Sequence, residues 1–581
     1  MPLSFTNADD FKWTVRKIAV VGPGIVGMPM AALLANARIR EGSDEPAKVV
    51  VLQRNSRTSG WKVPAINAGK SVIGGVEPAL DRIVAESVQA GILSASHDYE
   101  AAADADMVLV SVQTDKKGLG PDYGPLMEAL EGLAKALTKR PTGNVPIIVF
   151  ESTLAPSSMA TVIKDHFASH GLVEGRDILL GNSPNRVMPG RLVERVAAAD
   201  KLVAGLHPLT PKLIERVYSR IVTQGRLHLT NSMTAEVVKT LENAYRDVRI
   251  AFATEIVRYC DEHDIGFYAV RDAVNHSLAQ TDAASGDATA VPSGGVLVPT
   301  VGVGGHCLPK DGILLWWRKI ESGADTSNAL ILRSRDINDA SPAETTLLAE
   351  RTFGSLDDRA VALLGTAYRF DSEDTRNSPT LYLAKHLLAK GCRVTLHDPY
   401  VKPDDQNLER FGLTGMFTNE TATALKSAEV VFFCTGHGVY QGGLDGILAQ
   451  APKARLVVDG SNLYRRDALA GKSVTYVGIG RGTQPPSASF TQFVEESFRV
   501  MERGVANEVD DLLAFLNGRF ATSDFNRVRL DEVRRLGGTC VTGCDIAQTG
   551  PVAAVPSFEG FSTRLAQCAQ RASVNRSPTR A

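Results

Sequence analysis

The stretch that most narrows the folds open to this chain is Arg16-Lys-Ile-Ala-Val-Val-Gly-Pro-Gly-Ile-Val-Gly27. A β-branched apolar run meets glycines at 22, 24 and 27, and a helical pattern follows from Met28 to Ala37. Strand, glycine turn and helix start in that order form a dinucleotide-binding fingerprint. Gly22, Gly24, Ile25, Val26 and Gly27 are the expected cofactor contacts, with a pyrophosphate on the helix N-terminus. The next apolar run, Lys48 to Gln53, should end in an acidic residue that holds ribose hydroxyls, and ends instead in Gln53-Arg54. An arginine there meets a 2′-phosphate, stacks on adenine or faces water. NAD is the expected cofactor, with NADP left open.

Apolar strands are expected over Asp106 to Asp115 and Val145 to Thr153, and their polar ends make Thr114, Ser152 and Thr153 candidates for the ligand crevice or for simple helix caps. A strand from Leu179 runs into the loop Ser183-Pro-Asn-Arg-Val-Met-Pro-Gly190, which carries Asn185 and Arg186. One long helix is expected from Thr234 to Tyr259. Spacing puts Ala235, Lys239, Glu242, Asn243 and Arg246 along one side of it, a stripe that a surface helix would also show. Residues 277–297 are small and polar and read as a loop. Strand-like runs recur at 359–365, 393–398, 429–434 and 454–459, so a second doubly wound sheet is expected. Arg369 and Arg376, in the charged loop 368–379, are placed to clamp a diphosphate, or are solvated. Beyond Gly482 a linker leads into apolar residues at helical spacing from Phe490 to Leu516, and the last twenty residues read as disordered. The fold class is therefore α/β, with two Rossmann-like doubly wound domains joined by a long central helix and a helical C-terminal extension. The expected domains are 1–230, 231–340, 341–482 and 483–581.

Gly304-Gly-His-Cys-Leu-Pro-Lys-Asp311 puts one thiol, one amine and one carboxylate on a glycine turn. Cys307 is either a nucleophile tuned by Lys310 and Asp311 or a packed structural thiol. Charge is balanced at 63 basic and 65 acidic residues, so nothing favours nucleic acid or an anionic membrane as a partner. The seven cysteines are scattered and odd in number, which points to a reducing compartment, and Cys540 and Cys544 lack the second pair a zinc site needs. With no leader and no long apolar segment, a cytoplasmic location is expected.

Taken in order, the glycine fingerprint, the strand ending in Val-Gln-Thr, Glu-Ser-Thr-Leu-Ala-Pro, Ser-Pro-Asn-Arg-Val-Met-Pro-Gly, the Glu-Asn-Ala-Tyr-Arg-Asp-Val helix, Gly-Gly-His-Cys-Leu-Pro-Lys-Asp and Asp-Thr-Arg-Asn-Ser-Pro resemble the UDP-glucose/GDP-mannose dehydrogenase family over roughly residues 16–482. Two of them are more like its UDP-N-acetylhexosamine branch. The resemblance implies an NAD-dependent, four-electron oxidation of a nucleotide-sugar C6 alcohol to the uronate. Cys307 would carry a thiohemiacetal and then a thioester, Lys239 would stabilise oxyanions, Asn243 would position oxygen or water, and Asp311 would move protons. Asn185, Arg186, Arg246, Gly304, Arg369 and Arg376 are the expected substrate contacts, and a homodimer built around the long helix is implied. The other readings are a UDP-glucose or GDP-mannose dehydrogenase, or a non-catalytic nucleotide-sugar-binding protein. Asn185 stands where the family usually has a glutamate, a departure that bears on thioester hydrolysis.

Overall fold

The computed structural model describes residues 11–74, 77–141, 144–186, 191–284, 295–469, 471–538, 546–552 and 554–574. Val187 to Gly190, residues 285–294 of the expected 277–297 loop, Cys540 and Cys544 lie outside them. The chain forms two compact units: Met1–Glu242 with Leu314–Ala324 and Asp510–Cys544, and Asn243–Ile313 with Asp325–Val509 and Asp545–Ala581.

In the first unit the strands are β1 (Lys17–Val21), β2 (Lys48–Leu52), β3 (Leu93–Ser96), β4 (Met107–Val110), β5 (Asp115–Lys117), β6 (Gly120–Asp122), β7 (Ile147–Phe150), β8 (Leu179–Asn182), β9 (Lys201–Gly205) and β10 (Leu227–Asn231). Eight of them form one sheet in the order β10-β9-β8-β7-β4-β1-β2-β3, and β5 and β6 form a separate hairpin. Neighbours in the sheet are parallel except β8 and β9. Such a sheet must be covered on both faces. Along β1, Ile18 and Val20 enter one core while Ala19 and Val21 enter the other. Buried Asp106 accepts from the backbone N–H of Arg16 at 2.8 Å and from Arg140 Nη2 at 2.7 Å, tying the start of β1 to β4 and to the helix before residue 140. Strand order reverses between β1 and β4, so their carboxyl ends open the crevice where ligands bind in sheets of this kind.

The second unit carries β11 (Ala360–Leu364), β12 (Arg393–His397), β13 (Phe417–Thr418), β14 (Val430–Phe433), β15 (Leu456–Asp459) and β16 (Thr475–Gly478) in the order β13-β12-β11-β14-β15-β16. All pairs are parallel. Its reversal falls between β11 and β14, and each face of β11 again feeds its own core.

The long helix runs from Ser232 to Glu262, a little beyond the expected ends. Asn231 starts it, its Oδ1 accepting from the Thr234 N–H at 2.8 Å. The apolar stripe from Phe490 to Leu516 lies on a single 33-residue helix, Ala488–Phe520, and it is core rather than surface. Within the second unit the Tyr245 hydroxyl donates to Glu502 at 2.5 Å, Phe252 meets Phe498 edge-on with centroids 5.4 Å apart, and Tyr259 stacks on Phe490 at 5.2 Å. Because the position on one helix rises as that on the other falls, these segments pair antiparallel. We expect Tyr245→Phe to lower stability by about 1–2 kcal/mol, since a buried carboxylate loses a donor; chemical denaturation measures it.

Three expectations are corrected. Residues 277–284 belong to the helix Phe267–Ala284, whose alanines and leucine sustain helix better than their small size suggested. The 483–489 linker is fastened at its start, because Gln484 N–H donates to Asp264 O at 2.7 Å and Gln484 O accepts from Gly266 N–H at 2.9 Å. The expected disordered end contains the helix Arg564–Val574, in which Leu565, Cys568 and Ala569 are buried at helical spacing among arginines that hid the pattern.

Candidate functional site

The cofactor turn is shaped by what its glycines exclude. Gly22 sits at φ +89°, where a Cβ would lie 3.0 Å from the Ser111 carbonyl at the end of β4. A Cβ on Gly27 would overlap the Gly22 carbonyl, so the helix Gly27–Asn36 can only start this close to β1 with glycine there. Gly24 has nothing within 4 Å of its missing Cβ, an open face where a pyrophosphate can approach the backbone. Ile25 and Val26 complete the turn into the helix. Gln53 Nε2 donates to Ser59 Oγ at 3.0 Å, and Arg54 is held by Glu128 in an exposed ion pair at 2.7 Å. Thr114 Oγ1 donates to the Thr153 carbonyl at 2.7 Å and Ser152 Oγ to the Val112 carbonyl at 2.6 Å. These hydroxyls therefore stitch the strand ends together.

Deeper in the same unit lies a cluster that the sequence reading passed over. Glu151, at the carboxyl end of β7, accepts from Lys201 Nζ at 2.7 Å, Tyr218 OH at 2.5 Å and Asn185 Nδ2 at 3.1 Å. Burial pushes the Lys201 ammonium pKa down, opposed by Glu151 and helped by the charges of Arg186 and Lys239. Arg186 pairs with Glu242 at 2.5 Å, both side chains almost fully buried. Lys239 is 8% exposed and makes no ion pair among the described residues. A buried ammonium without a counter-charge is costly, so an anion beside it would be stabilised. Arg186 Nη2 also donates to the Leu536 carbonyl at 3.3 Å, which brings the C-terminal extension to the Asn185-Arg186 loop.

The second unit holds the thiol. Cys307 is exposed and begins the helix Leu308–Glu321, its carbonyl accepting from the N–H groups of Lys310 at 3.1 Å and Asp311 at 3.0 Å. A helix N-terminus favours negative charge beside it. Gly305 sits at φ +85°, where a Cβ would come within 2.9 Å of the Tyr368 ring, and a Cβ on Gly304 would overlap Tyr368. Gly305 N–H donates to the Arg376 carbonyl at 2.8 Å, and Asn377 Nδ2 to the Gly305 carbonyl at 2.9 Å. The glycine turn thus docks on the distant 368–377 loop. Arg376 is clamped by Asp374 through two bonds, at 2.9 and 2.6 Å, and Asp374 raises its pKa, with Tyr368 and Cys307 adding smaller pulls in the same direction.

Asp311 is fully buried, one oxygen taken by Lys310 Nζ at 2.7 Å and the other by Asn243 Nδ2 at 2.6 Å. The structure therefore gives Lys310 a partner in Asp311, and it sets the amide of Asn243, one turn along the long helix from Lys239. Arg246 is exposed, and the Arg369 guanidinium lies 5.9 Å from the Phe370 ring. At the reversal of the second sheet, Asp398 accepts from the N–H groups of Thr366 at 2.8 Å and Ala367 at 2.9 Å and contacts His437 Nε2 at 3.0 Å. The strand ends at 393–398 and 429–434 were legible, but not this pairing.

A glycine cradle at one sheet reversal, a second doubly wound sheet and an exposed thiol on a helix N-terminus are the parts of an NAD-dependent oxidoreductase. The chain belongs to the UDP-glucose/GDP-mannose dehydrogenase family: residues 16–222 match its NAD binding domain, 233–340 its central domain and 362–466 its UDP binding domain. It is 28% identical over 473 residues to the UDP-N-acetyl-D-mannosamine dehydrogenase of Pyrococcus horikoshii, covering 80% of this chain and 99% of that one. The crystal structure of NDP-N-acetyl-D-galactosaminuronic acid dehydrogenase from Methanosarcina mazei Go1 superposes with a TM-score of 0.68 at 31% identity, covering 81% of this chain and 96% of that one. The structure of the Pyrococcus horikoshii UDP-D-ManNAc dehydrogenase gives 0.65 at 27%, covering 80% and 99%. The chain is thus an NAD-dependent nucleotide-sugar dehydrogenase with a UDP binding domain. No helix among the described residues is long and apolar enough to cross a membrane.

The cradle makes a separable prediction. Gly24→Val fills open space, so thermal stability without NAD should stay unchanged while NAD affinity falls about tenfold or more, roughly 1.4 kcal/mol. Gly27→Val forces helix from strand and should lower stability itself, by about 1–3 kcal/mol. Thermal unfolding of both variants, with and without NAD, distinguishes these effects.

Proposed function

We propose that the protein oxidises the C6 alcohol of a UDP-N-acetylhexosamine, UDP-N-acetylmannosamine first among them, to the uronate through a covalent intermediate on Cys307. The observation that carries this reading is the thiol itself, exposed on a helix N-terminus and bedded against the Arg376 loop. NAD, held on the Gly22–Gly27 turn, supplies hydride acceptance for both oxidations. The chain's own residues do the rest. Cys307 adds its sulfur to the C6 aldehyde, giving a thiohemiacetal, and after the second oxidation the C6–S thioester is cleaved by water, which returns the thiol and leaves a carboxylate. Lys239 offsets the negative charge that develops on the C6 oxygen. Asn243, its amide fixed by Asp311, orients that oxygen or the water. Arg376 and the Asp398–His437 corner lie in the unit that carries the UDP binding domain, and Arg186, Arg246 and Arg369 are further substrate contacts in this reading.

Asn185 cannot accept a proton as a carboxylate does, so water activation falls to another group. The domain boundaries 1–230, 231–340, 341–482 and 483–581 and the cytoplasmic location belong to the same proposal. So does a homodimer, although most side chains of the helix Ser232–Glu262 are already buried in their own chain, which leaves little of that helix for a partner. Light scattering would give twice the 62.2 kDa chain mass for a dimer.

The test is to count NADH formed per sugar with UDP-N-acetylmannosamine, UDP-N-acetylgalactosamine, UDP-N-acetylglucosamine and UDP-glucose. About two per sugar with an N-acetylhexosamine is expected. A preference for UDP-glucose would overturn the substrate assignment, and a burst that stalls would show that Asn185 limits hydrolysis.

A further inference from the structure

We propose that Glu131, His166 and His170, none of them part of the cofactor turn, form a binding site for one divalent transition-metal ion. His166 lies in the helix Lys164–Ser169 and His170 follows it, four positions on, so the two imidazoles project from one side. Glu131 comes from the neighbouring helix Gly124–Leu137. Glu131 Oε2 lies 3.3 Å from His170 Nε2 and 3.9 Å from His166 Nε2, and the ring centroids are 5.0 Å apart. Ligands about 2.0–2.2 Å from a tetrahedral zinc ion sit roughly 3.3–3.5 Å from one another; the Glu131–His170 pair already has that separation, the Glu131–His166 pair is slightly wider, and all three ligand atoms lie within 4.8 Å of one another.

Two further observations point to a cation. His170 Nδ1 is 3.0 Å from the His166 carbonyl, which places the ring proton on Nδ1 and leaves a lone pair on Nε2, the usual arrangement of a metal-binding histidine. His166 Nε2 is buried and has no hydrogen-bond partner among the described residues. A protonated His170 would explain one contact with Glu131 and leave His166 Nε2 unsatisfied. One cation satisfies both rings and the carboxylate. Lys135 occupies the other oxygen, Oε1, at 2.9 Å, so Oε2 is the one turned to the imidazoles. Two imidazoles and one carboxylate suit zinc, cobalt, nickel or copper better than magnesium or calcium, and the partly exposed Glu131 leaves room for water in the remaining position. Bound metal would pin the helix Gly124–Leu137 to the segment after the Glu151-Ser-Thr stretch.

The experiment uses the full chain in a Cys307→Ala background, which removes the exposed thiol as a competing ligand. Chelator-stripped protein is dialysed against Zn²⁺ and, separately, titrated with Co²⁺. We expect one Zn²⁺ retained per chain, a Co²⁺ visible spectrum without thiolate bands, and both lost in His166→Ala and in His170→Ala, with Glu131→Gln weaker than the parent. Circular dichroism confirms that the variants are folded. Retention in either histidine variant equal to that of the parent, no retention in the parent, or cobalt–thiolate absorption would overturn the site.

Discussion

Replacing Cys307 with alanine should abolish net uronate formation while leaving NAD and UDP-sugar binding in place. Without sulfur no thioester can form, and no other described cysteine can substitute. Cys260, Cys392, Cys434 and Cys568 are all buried, and burial raises the pKa of each, pushing Cys434 up to about 12. They are therefore thiols, not thiolates, at working pH. Chromatography of products after prolonged incubation decides the matter, and an undiminished uronate yield from the variant would sink the covalent route.

Lys239→Ala should slow turnover by about 10²–10³-fold, the usual scale for losing a preorganised charge that meets a developing oxyanion. Lys239 is buried and has no ion-pair partner among the described residues, whereas Lys201 nearby is neutralised by Glu151 and Lys310 by Asp311. Of these three, only Lys239 has no carboxylate partner among the described residues. The loss should appear in kcat more than in KM, because the oxyanion exists only after binding. Lys201→Ala serves as the contrast: it should cost stability, by leaving Glu151 buried with one fewer partner, and its effect on turnover should follow that loss. Equal kcat for wild type and Lys239→Ala would remove the oxyanion role.

Much of the architecture was legible in the chain. The strands at 17–21, 48–52, 107–110 and 147–150 and their counterparts after 360 are dense β-branched runs between breakers, and the glycine spacing at 22, 24 and 27 marks the crevice. Strands such as Leu93–Ser96 and Leu227–Asn231 were missed because Leu-Ser-Ala-Ser and Leu-His-Leu-Thr-Asn are short and hold only two apolar residues each; they are strands because β2 and β9 pair with them. The terminal helix was missed for a related reason, since its buried stripe is small residues set among arginines.

For the site, residue type and local order drew attention to Cys307, Lys310 and Asp311, whereas Lys239 and Asn243 were singled out only by the family resemblance. Neither could say which charges are already spent. That Arg54 is occupied by Glu128, Arg376 by Asp374 and Asp311 by Lys310 and Asn243, or that Glu151 gathers Lys201, Tyr218 and Asn185, depends on separations of a few ångströms between residues that are mostly far apart in the chain. What the sequence determined by itself was everything written in short-range pattern: two doubly wound sheets, the dinucleotide turn and a thiol on a glycine corner. Only the tertiary structure decided which polar groups face one another, because hydrogen bonds and desolvation act through space and fade within a few ångströms, while a sequence records only neighbours along the chain.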